Sequence, residues 1–199
     1  NKTSINKRYN QTNKHWIGLT LPLYNKNQGS NDENHILFNI LNKIPINDNT
    51  VDIYQSEDVH NQISFNKLID QINDIYRILK PNGIFRLSLP DYNCDYLNKR
   101  VQKDKYGNII FDKGGGGYLD SNNIAYDGTV WFPNYENVKR LLENTKFKNI
   151  NFLHYWTDNE NYIVKKIDYT IGYVSRTPDH DNRVKNPRRP MSIVVDCYK

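Results

Sequence analysis

The sequence predicts an α/β fold in a single domain, and three observations lead there. Apolar residues Phe65, Leu68, Ile69, Ile72, Ile75, Tyr76 and Leu79 recur at spacings of three and four, the stripe of an amphipathic helix. That helix lies between two short apolar runs that read as strands, Val51-Asp52-Ile53-Tyr54-Gln55 and Ile84-Phe85-Arg86-Leu87-Ser88-Leu89. The turn Lys80-Pro81-Asn82-Gly83 joins the helix to the second run. Strand, helix, tight turn and strand form a βαβ unit, which calls for a parallel pair covered by its helix.

The remaining elements follow in chain order. Residues 1–14 are almost wholly polar and read as an arm, with a single domain over 15–199. Strands are expected over 15–21 and 35–40, separated by a polar Asn/Gly/Ser loop. Ser64 is the expected N-cap of the central helix. Residues 92–129 read as irregular, with four consecutive glycines at 114–117 that suggest a flexible lid. Asn134 then caps a helix through Val138, Leu141 and Leu142, followed by a strand over 147–153. The run 191–197, Met-Ser-Ile-Val-Val-Asp-Cys, reads as a final strand with a buried or half-buried place in the sheet.

Composition narrows the function classes. The chain has 199 residues, 37% of them hydrophobic and 13% aromatic, which is enough apolar surface to fold and excludes a disordered chain. With 27 basic and 22 acidic side chains the formal charge is +5, an excess small enough to leave an anionic ligand open without establishing nucleic-acid binding. Cys94 and Cys197 are expected to be reduced and buried. The polar, basic first residues do not look like a signal peptide, and no apolar run reaches the roughly 18 residues of a membrane span. The expectation is a soluble cytoplasmic protein, with its oligomeric state left open.

Residues 51–91 resemble the second half of the class I S-adenosylmethionine-dependent methyltransferase domain. The matching segments are Val51-Asp52-Ile53-Tyr54-Gln55-Ser56-Glu57-Asp58-Val59, Tyr76-Arg77-Ile78-Leu79-Lys80-Pro81-Asn82-Gly83 and Leu89-Pro90-Asp91. Lys146-Phe147-Lys148-Asn149-Ile150 is similar to the segment leading into that family's sixth strand, and the terminal strand fits its antiparallel seventh. The resemblance implies a Rossmann-like sheet, mostly parallel, with S-adenosylmethionine beyond the carboxyl ends of its strands. It places Asn39 and Ile40 near the adenine, and Gln55, Ser56 and Asp58 near the methionine portion. The sequence departs from the family in three places. No glycine-rich turn precedes Trp16, no acidic residue ends the second strand to grip a ribose, and Asn61-Gln62 stands where related sequences carry Glu-His.

Methyl transfer to oxygen or nitrogen needs alignment and a base for the acceptor's proton. His60 and Asp91 are the candidate bases at the appropriate edge of the sheet. Tyr118, Asp127 and Trp131 combine ring faces with carboxylates, as sugar sites do, and Arg176, Asp179 and His180 could add donors from a second loop. No set of residues has zinc-site spacing. The first reading is therefore an O-methyltransferase on a sugar or glycan hydroxyl, in glycan biosynthesis. The alternatives are a non-catalytic methyltransferase-like binding or scaffold domain and, behind it, a nucleic-acid methyltransferase. The absence of any appended RNA- or DNA-binding module speaks against the last of these.

Overall fold

The central βαβ unit forms because its helix has one apolar stripe to bury and its strands have apolar faces to cover. In the computed structural model, which describes residues 16–20, 35–122, 124–157, 161–172, 174 and 191–199, strand β3 (Val51–Glu57) and strand β4 (Leu79–Pro90) pair in parallel. Helix α1 (Phe65–Ile78) crosses between them and buries Leu68, Gln71, Ile72, Ile75 and Ile78. Ser64 holds the N-cap position without a side-chain cap bond. The helix stops at Ile78, earlier than the apolar stripe suggests, and Leu79 is already extended. Pro81 disfavours helical geometry in the residue before it, so the chain leaves the helix ahead of it and joins the strand. Asn82 takes a left-handed φ of 64°, its N–H donates to the carbonyl of Lys199, and the Lys199 N–H donates back to Gly83.

The main sheet has five strands in the order β10 (Tyr162–Val164), β9 (Asn149–Trp156), β11 (Ser192–Tyr198), β4, β3. Strand β11 lies antiparallel between β4 and β9, so β3, β4 and β9 share one direction. Two further strands, β1 (Gly18–Thr20) and β2 (His35–Leu37), form a parallel pair of their own and are shorter than the sequence suggests.

One face of the sheet carries Phe85, Leu87, Leu89, Ile193, Val195 and Cys197, packed with α1 and α3 (Tyr135–Glu143) into the principal core. Helix α3 begins in a capping box in which Asn134 and Asn137 each accept the other's backbone N–H, and it buries Val138, Leu141 and Leu142. The opposite face carries a buried ion pair. Arg86 Nε and Nη2 donate to the two carboxylate oxygens of Asp196, each at 2.7 Å, and Nη1 donates to the carbonyls of Asp168 and Gly172. Both cysteines are buried and neither is in a disulfide. Among the described residues no helix is long and apolar enough to cross a membrane.

Residues 92–129, expected to be irregular, hold real elements. Helix α2 (Asp95–Arg100) leads into a ribbon of β5 (Val101–Lys103) and β6 (Ile109–Asp112), and a second ribbon pairs β7 (Tyr118–Leu119) with β8 (Ala125–Tyr126). The first ribbon turns on Asp104, whose carboxylate accepts from the backbone of Tyr106 and Asn108, with Gly107 at φ 87°. The glycine run makes a tight backbone crossing: a Cβ on Gly117 would strike the carbonyl of Tyr126, and one on Gly128 the carbonyl of Gly116. Its glycines are thus required by close approach of the chain to itself, which corrects the expectation of a flexible lid.

Candidate functional site

The carboxyl ends of β3 and β4, with the 3-10 turn His60–Gln62 and the segment 129–133, form the edge where ligands sit in sheets of this kind. Strand β3 ends at Glu57, and the left-handed φ of 56° at Asp58 turns the chain away. The Asp58 N–H donates to the carbonyl of Ser88, and its own carbonyl accepts from Gln62 Nε2. Strand β4 ends at Pro90, and Asp91, the next residue, is fully buried. The Asp91 carboxylate accepts from the backbone N–H of Trp156 at 2.7 Å and of Asn93 at 3.1 Å. Burial pushes it up to about 7 against the pull of those two donors.

His60 proves to be an interior group, which corrects its reading as an accessible base. It has no exposed surface, and its Nδ1 lies 2.6 Å from Ser56 Oγ and its Nε2 2.7 Å from Gln71 Oε1. An amide oxygen only accepts, so Nε2 carries the proton and Nδ1 takes the Ser56 hydroxyl. Burial lowers the imidazole to about 4, against a smaller upward pull from the Gln71 hydrogen bond. A histidine held neutral and bonded at both nitrogens links the strand end to α1. Ser56 is corrected with it, because its hydroxyl is turned into the core and away from the edge.

The other expected residues are dispersed. Gln55 pairs in register with Arg86 and so lies on the sheet face opposite Ser56, under Gly172. Asn39 is exposed and accepts from the backbone of Leu41 in a local turn, while Ile40 packs against the principal core. Trp131 is buried against Phe65 and donates its indole N–H to the carbonyl of His60 at 2.8 Å, which corrects its reading as a sugar-stacking ring. Tyr118 is exposed and stacks on Tyr126, and Asp127 is exposed with a left-handed φ of 56°. Arg176, Asp179 and His180 lie outside the described residues. Of the positions assigned to a cofactor, Gln55 and Ser56 lie in the last three residues of β3 and Asp58 just past its end, while Asn39 and Ile40 follow the end of β2.

Sequence reasoning missed a second polar cluster beside this edge. Asp112 is buried and accepts from Tyr92 Oη at 2.6 Å, Arg100 Nη2 at 2.7 Å and the Gly114 N–H at 2.8 Å. Burial alone would raise its carboxyl, but these donors, Arg100 foremost, hold it below the ordinary value. Asn61 joins the strand-end turn to this cluster through Thr129, and the carbonyl of Asn61 accepts from Val130. The one signal in the sequence was the four-glycine run, which marks a place where backbone must come close to its surroundings.

The strand order decides the fold: an antiparallel last strand lies between β4 and β9, with α1 and α3 on one face. The fold is class I methyltransferase-like. Solved structures similar to the chain include an S-adenosylmethionine-dependent methyltransferase from Mesorhizobium loti, at 10% identity and a TM-score of 0.49, covering 93% of this chain and 81% of that one. Another, from Methanosarcina mazei, matches at 11% identity and a TM-score of 0.48, covering 87% and 70%. A third, from Archaeoglobus fulgidus, matches at 12% identity and 0.47, covering 83% and 67%. No protein-family model and no curated protein matches the sequence.

Proposed function

We propose that the chain is an S-adenosylmethionine-dependent methyltransferase domain whose acceptor is a sugar or glycan hydroxyl. The observation that carries this reading is the convergence of the β3 and β4 ends, the turn at His60–Gln62 and the insert 92–132 on one edge. S-adenosylmethionine is the cofactor expected of such a fold, and when bound it supplies the methyl group. This chain's part is to align the acceptor and take its proton. Asp91 is the base in this reading: it follows directly on the end of β4 and its carboxyl is raised to about 7, and since it has no exposed surface, the residues that cover it must part for an acceptor to reach it. Exposed Tyr118 and Asp127 border the insert as acceptor contacts.

The burial of Ser56, His60 and Asp91 favours a second reading, a non-catalytic binding domain on the same fold. Titration calorimetry with S-adenosylhomocysteine separates the two. Heat of binding, together with methyl transfer to a saccharide that falls by roughly 10²-fold or more in Asp91→Asn, is the expected result. No heat and no thermal shift at millimolar ligand would leave the binding-domain reading.

A further inference from the structure

The cluster under the glycine run contains two polar atoms that the fold leaves unmatched. Asn61 is 4% exposed; its Nδ2 donates to Thr129 Oγ1 at 2.9 Å, while its Oδ1 is buried without a partner. Arg100 gives Nη2 to Asp112, while its Nε is buried without a partner. Such groups are rare because each forfeits the hydrogen bond it made with water. Between them runs a continuous chain: Thr129 sits against the Tyr92 hydroxyl, Tyr92 donates to Asp112, and Asp112 accepts from Arg100. The glycines form the roof. A Cβ at Gly115 would lie 2.6 Å from Thr129 Oγ1, and one at Gly114 2.5 Å from the Arg100 guanidinium carbon. The Arg100 side chain is 31% exposed and Gly114, Gly116 and Gly117 are at the surface, so the cluster comes closest to solvent at its Arg100 end.

We propose that Asn61, Tyr92, Thr129, Asp112 and Arg100, roofed by Gly114 and Gly115, form a subsite for an uncharged hydroxyl-bearing group of the acceptor. The chemistry follows from what is unmatched: one donor and one acceptor. A hydroxyl both gives and takes a hydrogen bond and satisfies either atom. An ionised carboxylate only accepts and would leave Asn61 Oδ1 unmatched, and a phosphate would bring its negative charge against the Asp112 carboxylate, which already neutralises Arg100. The subsite rests on the acceptor reading above but is read out by binding alone.

In the ¹⁵N-labelled full chain, the Arg100 Nε–H, the Asn61 side-chain amide and the Gly115 N–H resonances would be followed during titration with methyl α-D-glucopyranoside and, separately, with inorganic phosphate. The expected result is that the glucoside moves all three signals and phosphate moves none. Arg100→Lys keeps a charge opposite Asp112 but removes Nε, and Gly115→Ala fills the roof. Each should weaken glucoside binding about tenfold, the size of one lost hydrogen bond to a charged group. If either variant fails to fold, the three resonances of the parent chain decide. Movement with phosphate alone overturns the proposal in favour of an anion site, and no movement with either probe overturns it in favour of purely structural polar packing. Glucoside binding without heat from S-adenosylhomocysteine keeps the subsite and removes methyl transfer; the converse removes the subsite alone.

Discussion

His60 and Asp91 are buried with opposite consequences for pH. Folding lowers His60 from 6.5 to about 4, so between those values the unfolded chain binds the proton and the folded one does not. Its contribution is complete above pH 6.5 and is lost as pH falls toward 4, about 3 kcal/mol at one pK unit per 1.36 kcal/mol. Asp91 is raised from 3.8 to about 7, so the folded state binds the extra proton and stability falls as pH rises through that interval. The two slopes oppose each other and flatten the parent's profile. Urea unfolding at pH 4.5 and 7.5 separates them. The destabilisation by His60→Gln should be larger at pH 7.5, and that by Asp91→Asn larger at pH 4.5. A penalty for His60→Gln that is equal at both pH values would contradict a neutral buried imidazole.

At the scale of the element, the glycine crossing makes the sharpest statement. Gly117 has φ 78°, a conformation that L side chains rarely adopt, and its missing Cβ makes room for the Tyr126 carbonyl. Gly117→Ala should therefore cost more than the roughly 1 kcal/mol of a left-handed strain alone, because the backbone of 126–128 must also move. Gly107, also at positive φ but with open space around its Cβ position, is the control. Gly107→Ala should carry only the conformational part. Thermal unfolding of the two variants side by side checks this, and equal losses would mean that contact at Gly117 adds nothing.

Across the whole molecule, the ion pair of Arg86 and Asp196 joins positions 110 residues apart and is 0% and 3% exposed. Removing one member strands the other's charge in the interior. Asp196→Ala should cost about 3–5 kcal/mol, while Arg86→Met with Asp196→Leu, which removes both charges, should cost much less. Denaturant midpoints of the single and double variants measure this, and a double variant as unstable as the single would show that the charges themselves are needed.

Elements whose signals are local were legible in the amino-acid sequence. The stripe from Phe65 to Leu79 set the central helix, Asn134 set the start of α3, and the β-branched run near the end set β11. The resemblance of residues 51–91 pointed to the fold, because a helix, a Pro-Asn-Gly turn and two strands lie close together in the chain. Tertiary structure decided which polar groups face a ligand. His60 and Ser56 stand near the strand end in sequence, yet Gln71, eleven residues beyond His60, closes them into the core. Asn61 meets Thr129 across 68 residues, and Tyr92 meets Asp112 across 20. The physical reason is that burial and partnership set a polar group's role. Both depend on residues distant in the chain, whereas helix and strand signals are carried by neighbours.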